Sequence, residues 1–221
     1  MKNNKRQANT LALIFSALMV GLAVVWLGKA EAFTELSFDG ENAAWYFVRA
    51  TGIVAYVLLA LSTLWGLAVS SIPPKARSPQ SLVMRSHVTL SWLGVALALG
   101  HGLLLLADDH KFNYALTDVL VPFANPYRPV ATALGVLAFW IMLLVALSIV
   151  IKNRMGPKAW KWLHKISYAA FVFATIHGLR AGTDSDDIKR FFGVSIALTV
   201  IMLGYRFTRK SPGNPPKQPQ P

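Results

Sequence analysis

The chain contains six long apolar segments, and their length is the feature that most constrains its fold. Each is close to the roughly 17 to 25 residues that an α-helix needs to cross a hydrocarbon core of about 30 Å. Lipid offers the backbone no hydrogen-bond partners, so such segments are stable only as helices or as strands of closed barrels. The segments cover residues 10–28, 43–69, 83–107, 131–151, 162–181 and 191–207.

Composition agrees with a membrane location for these segments. Hydrophobic residues make up 54% of the chain and charged residues 14%, whereas a soluble domain carries about 25% charged residues. Prolines, which break helices, fall between the segments: Pro73, Pro74, Pro122, Pro126, Pro129 and Pro157. The sequence therefore predicts an all-α integral membrane protein, a six-transmembrane helical bundle.

The charges are distributed unequally between the two sides of this predicted bundle. The net charge is +12, and the N-terminus, the connections 70–86 and 152–165 and the C-terminus contain basic residues and no acidic one. All 10 acidic residues fall on the other side. Basic residues flanking spans stay in the cytoplasm, which predicts a multi-pass protein of the inner or plasma membrane with both termini cytoplasmic. The basic side favours anionic lipid headgroups as partners, and nucleic acid is not expected.

The predicted order along the chain is a cytoplasmic N-terminus (1–9), a first span with its outer loop (10–42), a five-span domain (43–207) and a disordered proline-rich cytoplasmic tail (208–221). A basic start, an apolar run and Ala30-Glu31-Ala32 resemble a cleavable signal peptide. The run from Thr10 to Leu27 exceeds the ~7–15-residue core of such signals, so we predict a retained anchor. Cleavage would remove one span and leave the domain intact.

Four histidines lie inside spans, where ionisable side chains are costly and mark functional sites. They are His87 and His101 on the third span and His164 and His177 on the fifth. Fourteen residues of helix rise about 21 Å and return to within about 40° of the same face, so the first pair shares a face at two depths. Thirteen residues leave the second pair about 140° apart, which predicts a local departure from α-helical geometry between Tyr168 and Thr175.

The predicted topology places the two pairs at matching depths. The third and fifth spans both run outward, so His87 lies level with His164 and His101 with His177. Each level can offer two imidazoles to one haem iron, with the two sites about 20 Å apart. Zinc would need four clustered ligands, and buried hydrogen-bonded histidines are the simpler alternative. The chain has no cysteine, which excludes thiolate ligation and covalent haem attachment, so any haem is predicted to be b-type.

Several further residues are candidates for the haem sites. Gly94 lies midway between the histidines of the third span, where glycine would let a planar ligand approach the backbone; a helix–helix contact explains it equally well. Haem propionates need cationic partners. Arg49 and Arg180 are candidates at the outer level and Arg85 and Lys165 at the inner level, although ordinary basic flanking residues explain the inner two equally well.

These residues resemble a known family. The histidine spacings, the segment 160–168 continuing to His177, and the segment 49–52 are similar to the ferric reductase-like transmembrane domain. That family includes ferric reductases, the membrane domains of NADPH oxidases and the haem subunit of periplasmic methionine sulfoxide reductase. The resemblance covers about 43–207. It implies that His87 and His164 bind an inner haem, that His101 and His177 bind an outer haem, and that Arg49 faces the outer haem or its acceptor.

The resemblance implies an oxidoreductase component that transfers electrons across the membrane through two bis-histidine haems. The donor would be a separate flavoprotein or a quinol, and the acceptor an unidentified extracytoplasmic molecule, with the loop 111–130 capping the outer site. No Gly-rich dinucleotide fingerprint follows Phe207, so any flavin would come from a partner. The haem subunits of the sulfoxide reductase system usually lack a match to His87, which favours the two-haem branch.

Two alternatives stay open. The chain could be a haem subunit that delivers electrons to a periplasmic reductase, or a non-redox transporter or structural membrane protein. Against the last, the sequence shows no repeat of interrupted helices, and its acidic residues avoid the spans.

Overall fold

The computed structural model describes residues 43–71, 80–107, 114–182 and 186–208. The regular structure in these ranges is entirely helical, as the sequence predicts. We number the α-helices α1 (Ala43–Ser71), α2 (Gln80–Leu104), α3 (Leu116–Leu120), α4 (Pro129–Met155), α5 (Pro157–Lys165), α6 (Ser167–Ala181) and α7 (Asp186–Thr208), with a 3₁₀ turn at Leu105–Ala107 after α2.

Four of the described helices are long and apolar enough to cross a membrane. They are Trp45–Ser70, Met84–Ala107, Pro129–Met155 and Ile188–Thr208, which correspond to the predicted second, third, fourth and sixth spans. The predicted fifth span is present as two shorter helices, α5 and α6. The molecule is thus a multi-pass helical membrane protein. The count of six spans and the cytoplasmic termini stay predictions, because the first span and the tail from residue 209 lie outside the described residues.

The junction between α4 and α5 follows from two adjacent residues. Gly156 ends α4 with a backbone φ of +78°, a conformation that costs glycine little. Pro157 then occupies the first turn of α5, where its missing N–H is not needed and its fixed φ suits a helix. The chain therefore reverses direction within two residues, and α5 and α6 run parallel to α2.

A helix break does separate His164 from His177, but it lies elsewhere than predicted. Helix α6 is continuous from Ser167 to Ala181, so the expected distortion between Tyr168 and Thr175 is wrong. The break lies at Ile166, whose N–H donates to the carbonyl of Leu163 at 3.1 Å. Such a bond to the third preceding residue tightens the end of α5. The break lies two residues after His164, so that histidine belongs to α5 and His177 to α6.

Helix α1 is the centre of the bundle and contacts α2, α6 and α7. Its buried apolar residues pack against Phe171 of α6 and against Ile188 and Phe192 of α7. Within this core the hydroxyl of Tyr56 lies 3.0 Å from that of Thr175 and 2.7 Å from that of Ser195. Hydrogen bonds between side chains of neighbouring helices stabilise their association in membranes. This core holds α1 and α6 in fixed positions between the two histidine levels.

Candidate functional site

The four histidines of the spans meet in two pairs. The inner pair is His87 on α2 and His164 on α5, with ring centroids 5.9 Å apart and planes at 75°. The outer pair is His101 on α2 and His177 on α6, with centroids 6.1 Å apart and planes at 76°. The rise of α2 separates the two levels by about 21 Å. The structure thus brings together the residues that the sequence predicts as ligands; metal binding by them stays a prediction.

The separation within each pair fits one metal ion between two imidazoles. A histidine nitrogen lies about 2 Å from a bound first-row metal, and the ring centre lies about 1 Å farther, so two rings on opposite sides of one ion have centroids roughly 6 Å apart. Both pairs have this separation. Among the described residues, no three histidine or acidic side chains gather around one point. The arrangement therefore fits two-ligand axial coordination and not a tetrahedral zinc site.

Main-chain carbonyl groups orient three of the four imidazoles through Nδ1. The acceptors are the carbonyls of Ser62 for His87 (3.1 Å), Val48 for His101 (2.8 Å) and Ala131 for His177 (2.8 Å). A carbonyl can only accept, so Nδ1 must carry the proton and Nε2 keeps a free lone pair. Histidines that bind metal are commonly fixed in this way by a carbonyl on the other nitrogen.

A glycine lies next to each of these three rings. A Cβ added at Gly52 would be 2.8 Å from Cε1 of His101, one at Gly66 would be 3.2 Å from Cε1 of His87, and one at Gly135 would be 2.7 Å from Nδ1 of His177. Each glycine follows the carbonyl acceptor by four residues and so lies one turn farther along the same helix face. The carbonyl and the glycine together form a seat for each imidazole.

Sequence reasoning missed these glycines, although a signal was present. Gly52 and Gly66 are fourteen residues apart, the same spacing as His87 and His101. Because α1 and α2 are antiparallel, each glycine of α1 faces one histidine of α2. Gly94, which was predicted at the sites, is buried; a Cβ there would make ordinary 3.5 Å contacts with Leu58 and Met142.

His164 has a different neighbour. The indole of Trp160, one turn earlier on α5, stacks on its ring with centroids 5.0 Å apart and planes at 18°. The ammonium of Lys152, near the end of α4, lies 4.4 Å from the Trp160 ring centroid. The inner site is therefore built from α1, α2, α4 and α5.

A cavity of about 250 Å³ contains the outer pair. Arg49 lines it, as predicted for a residue facing the outer level, together with Tyr114, Asp118 and Val119 from the connection between α2 and α4. Val119 packs where Gly102 has no side chain. Burial raises the pKa of the Tyr114 hydroxyl, which also hydrogen-bonds with the side chain of Thr132. The described part of the predicted capping loop thus forms a wall of this cavity.

The arginines at the outer level also differ in part from those predicted. The side chain of Arg180 is exposed, and the residue does not line the cavity. Arg128 lines it instead, and its Nη1 donates to the carbonyl of Arg180 at 2.9 Å. This bond caps the carboxyl end of α6, where unpaired carbonyls carry partial negative charge. Sequence reasoning missed Arg128 because the two arginines lie 52 residues apart.

A larger cavity, of about 630 Å³, contains the inner pair and has a cationic rim. Gly94 and Lys165 line it as predicted, whereas Arg85 does not. The other basic lining residues are Lys158, Lys161 and Arg206. A rim of this charge suits the carboxylates of a haem. The residues present at both levels therefore fit two non-covalently held haems.

Comparison with known proteins agrees with this geometry. Residues 51–175 match the family described as ferric reductase like transmembrane component. The match covers more than half of the chain, so the protein belongs to the ferric reductase-like transmembrane family, and the resemblance seen in the sequence is confirmed. A curated relative is the protein-methionine-sulfoxide reductase heme-binding subunit MsrQ of Herminiimonas arsenicoxydans. It is 28% identical over 213 residues, which cover 92% of this chain and 90% of that protein.

Proposed function

We propose that this protein carries electrons across a membrane through two b-type haems, one between His87 and His164 and one between His101 and His177. The observation that carries the proposal is the geometry of the two pairs, with ring centroids 5.9 and 6.1 Å apart. Family membership and the name of the relative, a heme-binding subunit, independently support haem binding, whereas the number of two haems rests on the two histidine pairs of this chain.

A bound haem supplies one-electron redox chemistry, and the protein supplies position, ligation and electrostatics. The carbonyls of Ser62, Val48 and Ala131 keep Nε2 of three imidazoles unprotonated. The bundle fixes the two levels about 21 Å apart along α2. Basic side chains at the rims of both cavities stabilise anionic carboxylates in a medium of low dielectric constant.

The charge distribution supports a direction for the transfer. Among the described residues, the inner end of the bundle carries seven basic residues and no acidic one: Arg85, Lys152, Arg154, Lys158, Lys161, Lys165 and Arg206. The outer end carries five basic residues (Arg49, Arg128, Arg180, Lys189 and Arg190) together with Asp118, Asp186 and Asp187. The positive-inside rule assigns the inner end to the cytoplasm of an inner or plasma membrane. Electrons would then enter at the inner pair, from a flavoprotein or a quinol, and leave at the outer pair.

For the acceptor we propose a partner protein, a methionine sulfoxide reductase of the kind that the relative's name specifies. Two observations support a protein partner. The likeness to that subunit extends over nearly the whole chain. The connection that contributes Tyr127 to the outer cavity also presents the side chains of Val121, Phe123 and Tyr127, which are 51%, 65% and 45% exposed. Phe123 has a φ of +65°, which is costly for a bulky residue.

The first test is haem quantification on the full chain purified in detergent. We expect two non-covalent, low-spin haems per chain, and one in the variant His101→Ala. His110→Ala is the matched control: that histidine lies outside the described residues, and its sequence context between polar residues predicts that both haems are kept. A colourless but folded protein, or an unchanged haem content in His101→Ala, would contradict the proposal.

The second test identifies donor and acceptor. Reduction of the haems by a quinol is compared with reduction by a flavin reductase, and reoxidation by a methionine sulfoxide reductase with its substrate is compared with reoxidation by a ferric chelate. We expect reoxidation by the reductase to be faster, and substitution of Phe123 by Ser to slow that reaction without changing the reaction with the chelate. Equal slowing of both would contradict docking at this loop.

A further inference from the structure

Helix α5 carries two tryptophans in different environments. Trp160 lines the inner cavity and stacks on His164. The side chain of Trp162, although it also borders the cavity, is 65% exposed and lies beneath the ammonium of Lys165, 4.3 Å from its ring centroid. The two residues have the same chemistry and lie two positions apart, so they allow the role of the half-buried Trp160 indole to be separated from the presence of an aromatic ring on α5.

The indole N–H of Trp160 is buried and has no hydrogen-bond partner among the described residues. Buried polar groups are almost always paired, and an unpaired one needs an explanation. Lys152 lies over the ring but is a cation and cannot accept a hydrogen bond. Because Trp160 borders the inner cavity, an acceptor can come from a molecule bound there.

The stacking gives Trp160 a second role. Carbonyl bonds orient the rings of His87, His101 and His177. The ring contact described for His164, apart from its partner His87, is the indole. His164 precedes the break at Ile166, so its orientation depends on α5 and not on α6, which carries His177.

We propose that Trp160 is a positioning residue of the inner site, which fixes the plane of His164 by stacking and donates its indole N–H to a carboxylate of the haem bound there. This inference rests on the proposed function. The positive end of the N–H dipole would offset part of the carboxylate's negative charge near the haem, and the ammonium of Lys152, which lies over the Trp160 ring, adds positive charge on the same side. Both effects favour the reduced haem and raise the midpoint potential of the inner site.

The test uses the full chain and separates the hydrogen bond donated by the Trp160 indole from its stacking on His164. Trp160→Phe keeps an aromatic ring and removes the donor; Trp160→Gln keeps an N–H donor and removes the stack; Trp160→Leu removes both. Trp162→Phe is the matched control. The measurements are haem content, the midpoint potential of each haem by redox titration, and the g values of each low-spin haem by electron paramagnetic resonance, with the inner haem assigned by its retention in His101→Ala.

We expect Trp160→Phe to lower the midpoint potential of the inner haem, with the outer haem unchanged. Trp160→Gln should leave that potential near the wild-type value and shift the g values of the inner haem, because the His164 plane is released. Trp160→Leu should show both changes and lose part of the inner haem, and Trp162→Phe should show neither. A merely structural role would not separate potential from g values in this way.

An inner potential that is the same in wild type, Trp160→Phe and Trp160→Leu would overturn the inference while leaving two haems in place. Should Trp160→Phe fail to accumulate, Trp160→Gln and Trp160→Leu decide the same point, since equal potentials in these two would exclude the donor. A wild-type protein with one haem or none would instead contradict the proposed function itself, so the two failures are distinguishable.

Discussion

The outer and inner histidine pairs have nearly the same geometry but are supported differently. The outer histidines lie on α2 and α6, helices of 25 and 15 residues, and each is seated on a carbonyl and a glycine of a neighbouring helix. At the inner level only His87 has such a seat, and His164 rests on Trp160 in a helix of 9 residues. The outer cavity is about 250 Å³ and the inner one about 630 Å³.

This difference separates what ligation requires from what each level adds. Two imidazoles about 6 Å apart are common to both levels, so that distance is the requirement. The outer level adds rigidity, because backbone groups of α1 and α4 cannot change rotamer. The inner level adds space and positive charge. In the proposed direction of transfer, the inner site would receive electrons from an external donor and gain from access. The outer site would pass them to a partner and gain from a fixed geometry.

The largest expected effect comes from filling an outer seat. In Gly135→Ala the new Cβ would lie 2.7 Å from Nδ1 of His177, so the ring must move. We expect loss of the outer haem and retention of the inner one, measured as haem per chain. Alanine favours a helix over glycine by about 1 kcal/mol, so helix weakening cannot explain the loss.

Gly100→Ala is the matched control for that variant. It makes the same substitution in α2, next to His101, but apart from the adjoining residues and the backbone of α2 itself no atom lies within 4 Å of the added Cβ. We expect two haems. Equal haem loss in Gly100→Ala and Gly135→Ala would show that the seat is not responsible.

Substitution of the two glycines of α1 allows the outer and inner levels to be compared directly. The Cβ of Gly52→Ala would lie 2.8 Å from a ring atom of His101, and that of Gly66→Ala would lie 3.2 Å from one of His87. We expect Gly52→Ala to lose most of the outer haem, and Gly66→Ala to keep most of the inner haem with a shifted spectrum, because a displacement of a few tenths of an ångström suffices. Equal losses would mean that the inner level is as rigid as the outer one.

A smaller effect is expected from Arg128, which caps α6 and lines the outer cavity. A unit charge about 10 Å away contributes roughly 1.7 kcal/mol at an effective dielectric constant of 20, which is about 70 mV for one electron. We expect Arg128→Ala to lower the outer midpoint potential by some tens of mV and Arg128→Lys to lower it less. A change confined to the inner haem would be inconsistent with this assignment.

The smallest effect is expected from Ser62→Ala. The Ser62 hydroxyl lies 3.2 Å from Nδ1 of His87 and 2.8 Å from the hydroxyl of Ser91, but the Ser62 carbonyl, which holds the ring, is retained. Loss of a neutral hydrogen bond costs about 1 kcal/mol. The midpoint temperature of thermal unfolding should fall by a few degrees, and the protein should keep both haems. Loss of the inner haem would show that the hydroxyl, and not the carbonyl, seats His87.

Much of this architecture could be predicted from the sequence, because spans and histidine spacings are periodic features. The apolar segments gave α1, α2, α4 and α7 to within a few residues, and Pro129 and Gly156 mark the ends of α4. The pairing of histidines followed from helix direction alone. What could not be predicted depends on contacts between helices. No proline or glycine marks the break at Ile166, and the offset between His164 and His177 could be corrected at any point between them.

The carbonyl and glycine seats of the imidazoles also could not be predicted from any one segment of the sequence. Val48, Ser62 and Ala131 act through carbonyl groups, which every residue has, so their identities carry no signal. The spacing of fourteen residues between Gly52 and Gly66 becomes a signal only after α1 is placed antiparallel to α2. Arg128 could be recognised as a cap only with the end of α6 in place.

The central claim is that each haem is shared between α2 and the α5–α6 segment. The most direct measurement is the near-infrared magnetic circular dichroism of four single variants in which His87, His101, His164 and His177 are each replaced by alanine. We predict that His87→Ala and His164→Ala lose the same bis-imidazole haem, and that His101→Ala and His177→Ala lose the other. Loss of one and the same haem in His87→Ala and His101→Ala, or a wild-type protein without a bis-imidazole signal, would contradict the account.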